Sequence, residues 1–272
     1  MDRAIGVFDS GYGGLSVLRD IVERLPGYDY IYLGDNARAP YGGRSFERVH
    51  EFTLEAVEYL FDRGCPLVIL ACNTASAKAL RTIQQNDLPR IAPDRRVLGV
   101  IRPTAEAVGE FSRTGRVGVF ATQGTIASRS YDIEVKKLNP GFEVYGQPCP
   151  MWVPIVENLE METPGAEYFI GRDVNRLLGQ CADIDAIILG CTHYPLIYDQ
   201  IRKAVPQGIR LIEQGRIVAE SLADYLRRHP EMDARLSRGG GIEYLTTESP
   251  EKFDALGSIF MRRAVESRQI QL

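Results

Sequence analysis

Two short segments occur twice in this chain, in the same order. Ile5-Gly6-Val7-Phe8 returns as Val117-Gly118-Val119-Phe120, and Leu70-Ala71-Cys72-Asn73-Thr74 returns as Leu189-Gly190-Cys191-Thr192-His193. Each begins as an apolar run of strand length that stops at polar residues, and the stretches between the runs carry helical spacing. Strands that alternate with helices build βαβ units on a parallel sheet, whose strands are covered on both faces and therefore apolar throughout. Buried parallel strands resemble one another for that reason alone. The Cys with a nearby Thr in both copies of the second segment goes further and marks a repeat. The reading is an α/β protein of two similar doubly wound parallel-sheet lobes, with the active site in the cleft between them.

In the first half, strands are expected at residues 4–8, 30–34, 66–71 and 97–100, and helices at 15–25, 45–62 and 73–86. A helical pattern follows Pro103 up to Phe111, and the alternation then restarts. Strands are expected at 116–120, 143–145 and 186–189, and helices from after Thr125 to about Leu138 and at 168–181. Beyond residue 208 come the strand Arg210-Leu211-Ile212-Glu213, a helix over 216–228, a polar loop, a strand from 241 and a last helix over 249–266. The expected division gives residues 1–100 and 209–272 to the first lobe and 101–208 to the second, which is then an insertion.

A length of 272 residues suits two domains that each bury a core. The apolar run from Pro66 to Cys72 falls far short of the ~20 residues a membrane helix needs, so no membrane partner is expected. A formal charge of -4 gives no global attraction to nucleic acid. The start, Met1-Asp2-Arg3 followed by a strand pattern, has no secretory signature, which makes the cytoplasm the expected compartment. The five cysteines, at 65, 72, 149, 181 and 191, form no CxxC pair and no zinc spacing, so they are read as reduced, with no metal site. Cys65, Cys149 and Cys181 are assigned to packing.

Ligands of open α/β sheets sit beyond the carboxyl ends of strands. Four such ends carry reactive or polar residues: Asp9-Ser10, Cys72-Asn73-Thr74, Thr122 and Cys191-Thr192-His193. A cysteine at a helix amino terminus is expected to have its pKa lowered. One such cysteine reads as core; two at equivalent positions of two lobes read as function. Thiols facing each other across a cleft suit inversion of a carbon stereocentre, which needs a base on one face, an acid on the other, and exchanged roles in reverse. A carboxylate beside each would hold or receive its proton. Gly11-Tyr12-Gly13-Gly14 lacks both the GxGxxG spacing and a Walker lysine, so nucleotide binding is not expected. The lysines, at 78, 136, 137, 203 and 252, avoid the strand-end motifs, which leaves no Schiff-base candidate and no expected cofactor.

Asp9-Ser10-Gly11, Pro40-Tyr41-Gly42, Ala71-Cys72-Asn73-Thr74-Ala75-Ser76, Val117-Gly118-Val119-Phe120-Ala121-Thr122 and Gly190-Cys191-Thr192-His193-Tyr194-Pro195 together resemble the glutamate racemases of the aspartate/glutamate racemase family. The match runs in order across most of the chain. The resemblance implies a cofactor-independent enzyme that interconverts L- and D-glutamate, supplies D-glutamate for peptidoglycan, and often forms homodimers. It implies that Cys72 takes the α-proton from D-glutamate and Cys191 from the L-enantiomer, with Asp9 beside Cys72, and His193 and Glu157 beside Cys191. Asp9, Ser10, Tyr41, Gly42, Asn73, Thr74, Thr192 and His193 match positions that bind substrate.

Plainer roles stand beside these. Asp9, Thr74 and Thr192 suit helix caps, His193 a loop histidine bonded to backbone, and Glu157 a solvated carboxylate. Leu211-Ile212-Glu213 departs from the family's Leu-Ile-Asp, which bears on local loop geometry. The short lead-in to the first strand predicts no activation by a cell-wall precursor of the kind that some relatives have. Rival readings are an aspartate racemase on the same scaffold, whose substrate is one methylene shorter, and a non-catalytic binding protein.

Overall fold

The structure, a computed structural model, describes residues 3–272; Met1 and Asp2, part of the amino-terminal reading, lie outside the described residues. Its strands are β1 (Ile5–Asp9), β2 (Tyr30–Gly34), β3 (Leu67–Leu70), β4 (Arg96–Gly99), β5 (Arg116–Ala121), β6 (Glu143–Pro148), β7 (Ala186–Gly190), β8 (Arg210–Ile212), β9 (Ile242–Thr246) and β10 (Ser267–Gln269). They form a six-stranded sheet in the order β10-β9-β2-β1-β3-β4 and a four-stranded sheet in the order β6-β5-β7-β8. All pairs are parallel. β1, β2, β3 and β7 are buried at every residue, which is why, Asp9 at the end of β1 aside, they are apolar without alternation.

The repeat is structural. β2-β1-β3-β4 and β6-β5-β7-β8 have the same topology, with the two IGVF-like segments forming the first strand of each lobe and the two Cys-bearing segments ending the third.

One boundary is corrected. Arg210–Ile212 pairs with β7, Ile188 opposite Ile212, and so belongs to the second sheet rather than the first. A parallel strand that follows the short helix Tyr198–Ala204 lands beside the strand it came from, because the tight right-handed crossover reaches no further. The chain returns to the first lobe only after this strand, through the helix Gly215–Arg228, and β9 then pairs with β2.

Three helical readings also change in detail. The segment expected to be one helix over 73–86 is broken into Asn73–Lys78, a short turn and a widened π turn, Ile83–Asp87, just before Pro89, which has no N–H to donate. The helix expected up to Leu138 is divided at Arg129, whose φ of 56° is left-handed. A short helix, Trp152–Glu157, was not legible in the sequence, and the last helix stops at Met261, followed by β10.

The helix Gly14–Arg24 of the first lobe packs against Gly215–Arg228, and one apolar cluster holds Leu15, Leu18 and Phe253 together with Phe120, Trp152, Leu189 and Ile201 of the second lobe. The lobes therefore share a core. No described helix is long and apolar enough to cross a membrane.

Candidate active site

In each sheet the first strand lies between the second and the third, so the connections diverge between β1 and β3 and between β5 and β7. Loops leave a crevice at such a point, beyond the carboxyl ends of the strands. Asp9 ends β1, Cys72 follows β3, Thr122 follows β5 and Cys191 follows β7. All four strand ends singled out from the sequence thus lie at the two switch points.

On the first-lobe side, Ser10 Oγ lies 3.4 Å from Cys72 Sγ. Cys72 also caps the helix Asn73–Lys78, its sulfur accepting from the Ala75 N–H at 3.4 Å. The expectation that this placement lowers the thiol's pKa is corrected. Burial, with the negative charge of Asp9 added, outweighs the Ser10 and Ala75 hydrogen bonds and pushes the thiol up to about 12. Asp9 itself is buried, with Oδ2 accepting from the Gly11 N–H at 2.9 Å and Oδ1 without a partner among the described residues. Burial raises its pKa despite the nearby His193 charge. At rest this side holds a neutral thiol beside a carboxylate that lacks part of its solvation.

The second-lobe side is wired differently. Cys191 Sγ lies 3.9 Å from His193 Nδ1, and His193 Nε2 lies 3.0 Å from Glu157 Oε1. Burial would lower the imidazole's pKa, but the Cys191 sulfur and the Glu157 carboxylate together raise it to about 10. Glu157, read from the sequence as the member closest to an ordinary solvated carboxylate, ends the short helix Trp152–Glu157 and reaches the histidine from there. Among the described residues, no group of three or more His, Cys, Asp or Glu side chains is set to hold a metal ion.

The chain matches the family model for Asp/Glu/hydantoin racemase over residues 5–222. It is 42% identical to a glutamate racemase of Dinoroseobacter shibae, over 98% of this chain and 99% of that protein. Among solved structures, glutamate racemase isoform RacE1 of Bacillus anthracis superposes with a TM-score of 0.89 at 32% identity, covering 99% of this chain and 97% of that one. The glutamate racemase of Francisella tularensis, solved in complex with D-glutamate, gives 0.87 at 31% identity, covering 99% of this chain and 98% of that one. This chain belongs to the Asp/Glu/hydantoin racemase family. The resemblance read from its motifs holds, and so does the two-lobed α/β fold.

In this racemase-family chain the two sides of the crevice interlock. Gly13 packs so closely on the second lobe that a Cβ there would stand 2.3 Å from Thr192 Oγ1 and 2.4 Å from His193 Nδ1. The Ser16 hydroxyl reaches the Thr192 carbonyl at 2.9 Å. Across the opening, the Gly124 N–H donates to the Gly42 carbonyl at 2.8 Å, and a Cβ on Gly42 would meet Thr122 Cβ at 2.9 Å. Thr74 joins Thr122 at 2.9 Å and Thr125 at 3.3 Å. Tyr41 is buried, and its hydroxyl donates to Asp35, which also takes Arg38, so this side chain anchors the loop that carries Gly42.

Asn73 is engaged at both ends of its amide, by Tyr131 at 2.6 Å and Gln214 at 2.7 Å. Sequence reading missed Tyr131, Gln214, Thr125 and Ser16. Gln214 and Tyr131 carry no motif signal, because their partners are distant in the chain. The signal available for Thr125 was its place in the first helical turn after β5, in the segment that corresponds to the one following Asp9.

Proposed function

We propose that this protein is a glutamate racemase that works by two-base proton transfer between Cys72 and Cys191. The observation that carries the reading is the pair of cysteines at equivalent strand ends of two like lobes, each with its own carboxylate partner: Asp9 for Cys72, and Glu157 through His193 for Cys191. A thiolate on one face takes the α-proton while the thiol opposite donates its own to the other face. The reaction leaves the two sulfurs with exchanged protonation, and the reverse reaction restores them. Cys72 serves D-glutamate and Cys191 L-glutamate.

The neutral state of buried Cys72 suits the acid role at rest. Deprotonation of that thiol is favoured when the substrate ammonium enters, because a positive charge nearby stabilises a thiolate. Ser10, Asn73, Thr74, Thr192 and the loop amide at Gly42 supply hydroxyl, amide and N–H donors of the kind that two substrate carboxylates need. Pinning both carboxylates aligns the Cα–H between the sulfurs, an orientation effect that can account for a large part of a rate enhancement. In this reading the chain's own groups carry every proton and no cofactor takes part. The product D-glutamate serves peptidoglycan synthesis in the cytoplasm, and the assembly is a homodimer.

Circular dichroism of L- and D-glutamate, with aspartate as the control, tests the substrate; deuterium wash-in at Cα tests the chemistry. Cys72→Ser and Cys191→Ser are each expected to lose racemisation by several orders of magnitude, while Cys181→Ser retains it. Near-normal turnover by either active-site variant would refute the two-thiol assignment, and aspartate turnover in place of glutamate would refute the substrate.

A further inference from the structure

Gln214 is buried between the lobes and takes no part in the proton transfers. Its amide closes a ring of three hydrogen bonds. Asn73 Nδ2 donates to Gln214 Oε1 at 2.7 Å, Gln214 Nε2 donates to the Tyr131 hydroxyl at 2.7 Å, and that hydroxyl donates to Asn73 Oδ1 at 2.6 Å. Taken by itself, the ring is satisfied equally well in the opposite sense, with both amides turned over.

Thr104 breaks the tie. Its hydroxyl has one proton and donates it to the Val100 carbonyl at 2.9 Å, so toward Gln214, 2.9 Å away, it can only accept. The Val100 carbonyl, 3.4 Å from Gln214 Nε2, is likewise an acceptor. The Gln214 nitrogen therefore faces Thr104, its oxygen faces Asn73, and Asn73 must present its nitrogen to Gln214. With Tyr131 occupying Asn73 Oδ1, the group Asn73 has left to offer a ligand is its second N–H. Beside Cys72, in a crevice read as binding a dicarboxylate, this matters: an N–H binds a carboxylate, and a carbonyl oxygen in its place repels it.

We propose that Gln214, oriented by Thr104, is a positioning residue that fixes the Asn73 amide with an N–H free for a substrate carboxylate. Asn73 belongs to the first lobe, and Thr104 and Tyr131 belong to the second, so the orientation is set only when the lobes are together. The inference rests on the reading of Asn73 as a substrate ligand, and its test separates the two.

Steady-state kinetics in both directions are compared for Asn73→Ala, Gln214→Leu, the double variant and Thr104→Val. Asn73→Ala and Gln214→Leu are each expected to raise KM about tenfold with kcat changed less than about threefold, and the double variant to be no worse than Asn73→Ala, because Gln214 acts through Asn73. Thr104→Val, isosteric and at a position whose hydroxyl bonds Val100 and Gln214 rather than Asn73, should raise KM by about threefold. Losses that add in the double variant overturn the proposal, as does an unchanged KM in Gln214→Leu where Asn73→Ala raises it; in that second case the substrate reading of Asn73 stands. If Asn73→Ala leaves KM unchanged, that reading fails and takes the positioning role with it. Should Gln214→Leu not fold, Thr104→Val decides alone, and an unchanged KM overturns the proposal.

Discussion

At the scale of single residues, the two thiols are chemically unlike. Cys72 stands against a carboxylate that opposes its ionisation, while Cys191 stands against an imidazole whose pKa is held near 10 by its neighbours. The His193 shift has a consequence for stability. Its pKa is raised from 6.5 to about 10, so the protonated imidazole stabilises the folded state fully below pH 6.5, and this contribution is lost as the pH rises through 10. The Cys72 shift has the same sign and acts higher, between 9.0 and about 12. The melting temperature is therefore expected to fall from pH 6.5 to pH 10, and to fall less in Glu157→Gln, where one of the groups that raises the histidine pKa is gone. Parallel pH profiles for the two proteins would remove Glu157 from this account.

At the scale of elements, helix starts and loop contacts set the crevice. The turn into the helix Gly14–Arg24 touches Thr192 and His193 at Gly13, whose φ of -59° any residue can adopt, so glycine is needed there for space and not for conformation. Gly13→Ala is expected to push the turn away from His193, lower kcat/KM on the order of 10²-fold, and cost about 1–3 kcal/mol of stability. Unaltered kinetics in a folded Gly13→Ala protein would mean that the contact does not hold the site. Element type followed from apolar runs and turn residues. Element ends did not, because what stops or splits a helix here lies in local backbone geometry, as at Arg129 and in the widened turn before Pro89.

At the scale of the whole molecule, the shared core makes the two lobes one folding unit. Trp152, the only tryptophan, is fully buried in the second lobe, with its ring 4.8 Å from those of Phe120 and Tyr194. Its fluorescence and the far-ultraviolet circular dichroism of the chain are expected to report one coincident unfolding transition. Leu222→Ala, on the helix that returns to the first lobe, should shift both signals together by about 2–5 kcal/mol. Separate transitions would mean that the lobes unfold independently.

The α/β class, the duplication and the four strand ends at which chemistry gathers can be read from the order of residues along the chain. Each of these is written in local order: apolar runs long enough for a buried strand, followed by a polar turn. The sequence also contained Cys72, Cys191 and their motif neighbours, since a strand end and its following turn are contiguous in the chain. Three features depend on the folded chain: β8 joins the second sheet, Glu157 reaches His193, and Gln214 and Tyr131 hold Asn73. Folding also reversed the expected direction of the Cys72 shift, because desolvation and the charge of Asp9 act through space and depend on how completely the folded chain buries the thiol.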